Sequence, residues 1–376
     1  MPDLSTMNGV ASGSISSCNG VAYASMSTIN GMTAPSAAGA SLWTLVGADG
    51  AVGTAAASDL NDWTCYVSSN MGTADYNSIA YGKDGSGNGL WVAVDSNGNR
   101  EIRYSSDPTN TSGWSDANVA AKMIGVAWGN NVWIAVGQSG KVYRSTDGSS
   151  WSEINMSGVS GWNGSTTISD VVSDGAGKWM CAQGMNVFIS TNDGSSWSRA
   201  IDLTASPHSL SGYTAYTMAY TASRWSVFLR KASNSRVFTA ASTDTSSWAG
   251  ATASGNAQTA QNIVSQAARR MAAGDGTVII VAANDTSRST DGGQDWVKNT
   301  NDLPRTDARE IATDGQGNWV VVHDSGRVSL SSDDGVTWAE QTGIQDGGSA
   351  TNMRFPTGGN NVENLDAIAA DVLLPV

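Results

Sequence analysis

The fold of this chain is decided by a motif whose last copy reads Ser331-Ser332-Asp333-Asp334-Gly335-Val336-Thr337-Trp338. The same spacing of Ser, Asp or Asn, Gly and Trp occurs at 190–197 and 289–296, and shorter or degenerate copies are recognised by position. Seven tryptophans end a copy of this motif: Trp63, Trp114, Trp151, Trp197, Trp248, Trp296 and Trp338. One hairpin signature every 40 to 50 residues, roughly, is typical of a propeller or a solenoid. The count of motif tryptophans predicts seven units.

Each unit also repeats an apolar pattern that predicts four strands. A short apolar strand and a turn rich in Gly, Asn and Asp come first, and an alternating third strand leads into the motif, whose Trp begins the fourth strand. The second strand is apolar throughout and usually opens with Trp, as in Trp91-Val92-Ala93-Val94, Trp133-Ile134-Ala135-Val136, Trp179-Met180-Cys181-Ala182 and Trp319-Val320-Val321-Val322. A continuous apolar strand fits a blade that is packed on both faces.

The motif residues have a mechanical role in this interpretation. The Asp or Asn at the third position accepts hydrogen bonds from backbone N–H groups of its own turn, the Gly supplies a positive φ, and the Trp buries its ring against a neighbouring blade. We therefore assign a structural role to Asp147, Asn192, Asp244, Asp291, Asp333, Trp151, Trp197, Trp248, Trp296 and Trp338. The motif lacks the long acidic series and terminal Glu of an EF-hand calcium loop.

The pattern S-x-D-x-G-x-x-W resembles the Asp-box, or bacterial neuraminidase repeat. This repeat is found in sialidases, xyloglucan hydrolases, sortilin-type receptors and photosystem assembly factors. The resemblance covers the chain from about residue 42 onward and implies an all-β, seven-bladed β-propeller built from Asp-box hairpins. It is specific for the blade and not for an activity.

The two ends of the propeller are expected to meet. The first unit has a second strand at Trp43 but no convincing first strand before it, and the segment 364–371 resembles 308–314 of the seventh unit. We predict that the C-terminal stretch, about 365–371, becomes the innermost strand of the first blade and closes a propeller domain spanning 37–376. Such closure removes an exposed sheet edge.

A different repeat precedes the propeller. An Asn-Gly dipeptide followed by an apolar residue occurs three times, at 8–10, 19–21 and 30–32. The spacing between copies is 11 residues. Asn-Gly between apolar positions is a strong signal for a tight turn, and three such short units cannot bury a core by themselves. We predict an anchoring β arm over 1–36. The arm resembles the N-terminal repeats of tailed-phage virion proteins.

Composition narrows the function classes. The net charge of −13 and the lack of basic runs argue against a nucleic-acid partner. Three isolated cysteines and two histidines have no metal-ligand spacing, so no metal or cofactor is expected. No run of apolar residues is long enough for a membrane span, and the N-terminus has no basic or apolar segment of a secretory signal. We expect synthesis in a bacterial host cytoplasm.

Catalysis is not favoured by the residues available. The resemblance to sialidases implies three arginines around a carboxylate, yet no Arg precedes Arg100. A xyloglucan-type glycosidase needs two carboxylates across a cleft, and spacing does not say which acidic residues outside the motifs face each other: Asp75, Asp116, Asp170, Asp202, Asp307 and Glu310. We expect Asp170, Arg270 and Glu310 to line the channel as a structural charge network.

The sequence offers more support for ligand binding than for catalysis. The long polar connections between blades carry aromatic groups able to stack on sugar rings or to pack against neighbouring loops: Trp162, His208, Tyr213 and Tyr216. We predict a non-catalytic phage virion protein, a homo-oligomer in the particle, whose arm binds other virion proteins. Its propeller either binds a host-surface glycan or decorates the particle. A bacterial interaction or assembly scaffold and a glycoside hydrolase are the alternatives.

Overall fold

The computed structural model describes residues 41–96, 102–205, 208–231, 234–250, 268–324, 326–341 and 365–371, with short strands at Thr252–Ser254 and in the N-terminal arm. The described chain forms seven sheets of four or five strands, antiparallel except for one parallel pair at the edge of blade 6. The prediction of an all-β, seven-bladed propeller is confirmed. Within the described ranges, no helix is long and apolar enough to cross a membrane.

The strands of each blade follow one another from the axis outward. Blade 1 contains Leu365–Ala370, Leu42–Gly47, Ala51–Ala56 and Thr64–Val67; blade 2 contains Tyr76–Lys83, Gly89–Asp95, Ile102–Ser105 and Ser115–Asp116; blade 3 contains Met123–Gly129, Val132–Gly137, Val142–Ser145 and Ser152–Glu153. Blade 4 contains Asp170–Ser173, Trp179–Gln183, Asn186–Ser190 and Ser198–Asp202; blade 5 contains Thr214–Thr221, Arg224–Lys231, Asn234–Ala241 and Ala249–Gly250. Blade 6 contains Ala268–Gly274, Thr277–Ala282, Asp285–Ser289 and Asp295–Asn299; blade 7 contains Ala308–Thr313, Trp319–His323, Arg327–Ser331 and Ala339–Glu340. Single 3-10 turns, Ala48–Gly50 and Gln138–Gly140, follow the second strands of blades 1 and 3.

The first blade is completed by the C-terminal segment. Leu365–Ala370 runs antiparallel to Leu42–Gly47, with Ile368 opposite Leu45. The Asp371 carboxylate accepts a hydrogen bond from the Leu42 backbone N–H at 2.9 Å, and the Asp371 N–H donates to the Leu42 carbonyl at 2.9 Å. The two ends of the propeller are therefore joined by a sheet ladder.

Blade 6 departs from the four-strand pattern. Thr252–Ser254, from the connection that leaves blade 5, pairs in parallel with the outermost strand Asp295–Asn299. Residues 249–268 were predicted to form a long polar loop between blades, so this extra strand was not predicted. The extra strand forms because any outermost strand presents a row of unpaired backbone N–H and C=O groups to which another segment can bond.

The arm contains three separate hairpins. Thr6–Met7 pairs with Val10–Ala11, Ser17–Cys18 with Val21–Ala22, and Thr28–Ile29 with Met32–Thr33. Each pair flanks one Asn-Gly dipeptide, the arrangement that the tight-turn signal predicts. Each hairpin is its own two-stranded sheet and shares no strand with the described blades.

The core lies between adjacent blades. Ile279 and Val281 of blade 6 pack with Trp319 and Val321 of blade 7, and every other blade interface has a similar cluster. Side chains along the second strands alternate between the two neighbouring blades. This explains why those strands are apolar at every position.

The motif hairpins are held by their own side chains. In the last copy, the Ser331 hydroxyl accepts a hydrogen bond from Gly335 N at 2.9 Å, and the Asp333 carboxylate accepts one from Thr337 N at 2.8 Å. The motif Ser accepts from the Gly N–H in the same way in the copies at 145, 190 and 289. These bonds satisfy turn N–H groups that would otherwise lack partners.

The motif tryptophans are buried unequally. Trp296 is fully buried and Trp197 is 8% exposed, whereas Trp151, Trp248 and Trp338 are half-buried. Each of the last three still packs against a core cluster between two blades: Trp151 between blades 2 and 3, Trp248 between blades 4 and 5, and Trp338 between blades 6 and 7. In four of the five, the indole N–H donates to the carbonyl three residues earlier. That local bond holds the ring at its own hairpin.

Candidate binding site on the crossover face

The propeller has two different ends. The blade-to-blade connections and the second-to-third-strand turns lie at one end, called here the crossover face. The motif hairpins and the first-to-second-strand turns lie at the other, the hairpin face. The seven innermost strands contact one another in sequence around the axis and enclose a channel of about 620 Å³.

One ring of residues lines the crossover-face mouth of this channel. In six blades the innermost strand has a register shift near its start, and a bulge of this kind re-aims the side chain beside it. The residues after these shifts, and the first strand residue of blade 4, occupy equivalent positions. Each lies opposite the residue three positions after the Trp of the second strand, which Val278 replaces in blade 6. They are Ala367, Ser78, Gly125, Asp170, Thr217, Arg270 and Glu310.

The charged members of the ring form the predicted network. Arg270 Nε lies 3.0 Å from Glu310 Oε2, and Arg270 Nη1 donates to the Ser169 carbonyl at 3.1 Å. Arg270 thus reaches across the mouth from blade 6 to blade 4. Asp170 links blades 4 and 5, because its carboxylate accepts hydrogen bonds from Thr217 Oγ1 and Met218 N, both at 2.8 Å.

Burial shapes the ionisation of this network. Burial raises the pKa of Glu310 to about 8, although the Arg270 guanidinium opposes the shift. Burial also raises the pKa of Asp170, against Arg270 and the donors on Met218, Thr217 and Val171. Arg270 is a single guanidinium beside two buried carboxylates, and its charge does not offset the burial of either one.

The four aromatic residues predicted to bind ligand lie on the crossover face in two separate places. Trp162 is half-buried and packs edge-on against Phe188, with ring centroids 4.8 Å apart. Beside it lies an open groove of about 540 Å³ whose rim carries the Lys141–Glu153 ion pair, 2.6 Å long. This aromatic edge with polar neighbours suits a sugar ring.

The other three aromatic residues gather at the crossover end of blade 5. Arg230 lies 4.2 Å above the Tyr216 ring, and Lys231 and Arg236 lie 5.5 and 5.4 Å from the centroid of Tyr213. Tyr213 is 4% exposed, and its ring serves as a support for these cations. Half-buried His208 packs edge-on against Phe238 at 5.5 Å. The basic partners of these rings were not predicted, since Arg230, Lys231 and Arg236 carry no motif.

Aromatic residues also line the channel near the hairpin face. Tyr81, Trp128 and Tyr220 occupy equivalent positions, each paired with the Trp that opens the second strand of its blade. These three residues were not among the predicted ligand contacts. Their recurrence at the same place in three units was the available signal.

A Ser–His–Asp arrangement lies buried between blades 6 and 7. His323 Nε2 lies 2.8 Å from Ser329 Oγ, and His323 Nδ1 lies 3.2 Å from Asp307 Oδ1. Both His323 and Ser329 are fully buried, and burial lowers the pKa of His323 to about 4 despite Asp307. A nucleophile needs access to its substrate, so this arrangement is structural.

No group of three or more His, Cys, Asp or Glu side chains that could hold a metal ion occurs in the described ranges. Cys65 and Cys181 are free thiols, and burial raises the pKa of both, that of Cys65 to about 12. Such thiols are poor nucleophiles and poor ligands at neutral pH.

The comparisons with known proteins concern the fold. No protein-family model matches the sequence, and no curated protein sequence matches it. The chain is similar to a solved structure of YCF48 bound to D1 peptide, with 15% identity over 74% of this chain and 85% of that chain (TM-score 0.49). YCF48 from Cyanidioschyzon merolae gives 12% identity over 70% and 84% (TM-score 0.49). An ancestral GH74 enzyme gives 12% identity over 82% of this chain and 54% of that chain (TM-score 0.51), and this likeness extends to the propeller fold alone.

Proposed function

We propose that the chain is a non-catalytic structural protein of a tailed-phage particle. The arm anchors it to other virion proteins, several copies are present, and the Asp-box propeller is displayed outward, where it binds a host-surface glycan. The observation that carries this proposal is the independence of the arm from the ring. The three Asn-Gly hairpins share no strand with the described blades, and the ring closes through Leu365–Ala370 instead.

The crossover face supports the glycan part of the proposal. It carries the groove beside Trp162, and it is the end of the ring where the long blade-to-blade connections lie. Aromatic surface with a few polar groups around it is the usual composition of a small-ligand site.

The virion role is tested by mass spectrometry and immunogold labelling of purified particles. We expect the full chain in the particles and expect a variant lacking 1–36 to be excluded from them. Absence of the full chain from particles would remove the virion role. A glycan array with the full chain then separates adhesion from decoration, because adhesion predicts a signal that Trp162→Ala reduces.

One observation favours a glycoside hydrolase as the second candidate. Asp170 and Glu310 face one channel mouth, and the raised pKa of Glu310, about 8, is a property of a general acid. Arg270 bridges this mouth and bonds Glu310 directly, which favours a structural network. Release of reducing sugar from β-glucans by the wild type and not by Glu310→Gln would reverse this ranking.

A further inference from the structure

The crossover end of blade 5 concentrates positive charge in an acidic protein. We propose that Arg230, Lys231 and Arg236, supported by Tyr213 and Tyr216, form a binding site for the carboxylate or sulfate group of an acidic glycan. These residues are called the blade 5 cation cluster below. The glycan as source of the anion rests on the proposed function, whereas the recognition of an anion rests on the cluster itself.

The first argument is the lack of compensating carboxylates. No carboxylate of the described residues forms an ion pair with a cation of this cluster, and the net charge of the chain is −13. Nine other described basic residues do form such pairs: Arg103, Lys141, Arg199, Arg270, Arg288, Lys298, Arg305, Arg309 and Arg327. The neighbouring stretches 206–207, 232–233 and 251–267 contain no Asp or Glu. The charge is therefore not neutralised from within the surrounding sequence.

The second argument is the supply of hydrogen-bond donors. Arg236 Nε is buried and has no acceptor among the described residues. A guanidinium presents its N–H groups as a planar fork that matches the two oxygens of a carboxylate or sulfate. Nε itself is closed to solvent, so an anion would pair with the other N–H groups of this half-buried side chain, with which no described carboxylate pairs.

The third argument is positional order. The Tyr216 and Tyr213 rings hold the cations at 4.2 to 5.5 Å through attraction to the aromatic faces. Lys231 Nζ is further held by the Ser211 carbonyl at 3.3 Å. Cations already held in place lose less conformational freedom on binding, so the site is prepared for a ligand of opposite charge.

Calorimetric titration of the full chain tests the proposal at low ionic strength. The probes are an alginate oligosaccharide for carboxylate, a heparin hexasaccharide for sulfate, hexaglutamate for an acidic peptide, and a neutral dextran oligosaccharide. We expect at least one acidic oligosaccharide to bind and the dextran not to bind. Added salt should weaken binding, because exposed charges are screened.

Variants locate the site. Arg236→Gln and Lys231→Gln should each raise the Kd for the acidic oligosaccharide about tenfold. Lys298→Gln is the matched control, since it removes the same charge from the crossover end of blade 6 and belongs to neither proposed site. It should leave the Kd unchanged. Melting curves of all three variants establish that the propeller is intact.

The outcomes are separable. Failure of all three anionic probes to bind, or equal affinity of Arg236→Gln, Lys231→Gln and the wild type, would overturn the site. Tighter binding of hexaglutamate than of either oligosaccharide would overturn the glycan as ligand. Absence of the chain from virus particles would overturn the virion role and leave the oligosaccharide measurement valid.

Discussion

Arg270 stands between two carboxylates at the channel mouth, and the ionisation of that mouth depends on it. Arg270 forms an ion pair with Glu310 at 3.0 Å, whereas the Asp170 carboxylate accepts hydrogen bonds from Thr217 and Met218. Burial acts to lower the pKa of Arg270, but Glu310 and Asp170 outweigh it and the pKa is raised. The arginine therefore stays charged, and titration falls on the carboxylates.

Glu310→Gln should change how stability depends on pH. The pKa of Glu310 is about 8 in the folded chain against an ordinary 4.5. The folded state therefore binds more protons than the unfolded state between these values, and this residue reduces stability as pH rises through that window. Gln cannot titrate, so the variant lacks this contribution.

The measurement is the melting temperature of both proteins at about pH 5 and about pH 8. The melting temperature of the wild type minus that of the variant should be smaller at the higher pH. Each kcal/mol of stability that the wild type loses should lower its melting temperature by about 2–4 °C. Subtracting the variant removes the contribution of other groups, including His323. A difference that is constant with pH would contradict the raised pKa.

The location of a single residue could be predicted where the residue occupies a recurring position in the repeat. Asp170, Arg270 and Glu310 stand at the same place in their units, and their interaction in the channel is confirmed by the Arg270–Glu310 pair. The contact between His323 and Ser329 could not be predicted, because it depends on how a second and a third strand pair across a turn.

At the scale of the element, the motif hairpin differs from blade to blade in what it contributes. Four of the motif hairpins bond their own backbone in the same way, but the rings differ in burial: Trp296 is fully buried and Trp248 is half-buried. Trp296 packs with Met271, Val278 and Ile280 in the core between blades 5 and 6. Copies of the same motif are therefore expected to contribute different amounts to the free energy of unfolding.

Trp296→Ala should reduce the free energy of unfolding by about 3–5 kcal/mol, the usual loss for a large buried side chain. Trp248→Ala is its matched control and should cost roughly half as much, because part of its ring already contacts solvent. Urea denaturation followed by circular dichroism measures both. Equal losses would show that local hairpin bonds, rather than burial between blades, decide the role of the ring.

The outer edge of blade 6 shows a limit of pattern reading at this scale. Thr252–Ser254 has three residues and lies in a polar connection, so no periodicity marks it as a strand. Its partner is 43 residues away, since Thr252 pairs with Asp295. A strand this short exists because an edge is available to receive it.

At the scale of the whole molecule, the ring depends on the strand that joins its two ends. Leu365–Ala370 supplies the innermost strand of blade 1. It buries Leu365 and Ile368 in the core shared with blade 7 and Ala367 in the core shared with blade 2. Without it, blade 1 would present a bare edge to the channel. The closing strand therefore couples the first blade to the last.

Deletion of 362–376 should abolish the cooperative thermal transition of the propeller. Losing a strand with several buried side chains removes a large part of the roughly 5–15 kcal/mol that separates a folded domain from its unfolded chain. Deletion of 1–36 is the control, and it should leave the transition within about 2 °C because the arm shares no strand with the described blades. A truncated chain that melts like the full one would contradict the closure.

The all-β class, the number of blades and the four strands of most blades could be predicted from the amino-acid sequence alone. This is so because each unit must solve the same problem: an apolar second strand packed on both faces and a hairpin whose Ser, Asp and Gly satisfy its own backbone. Local rules of this kind repeat, and repetition can be read without knowing any contact.

Which residues meet across blades could be seen only in the folded ring. Arg230, Lys231 and Arg236 gather over Tyr213 and Tyr216, and Arg270 spans from blade 6 to blade 4, because the curvature of the ring brings distant segments together. Such contacts depend on the path of the backbone and on side-chain direction. Neither is encoded in the spacing of residues along one chain.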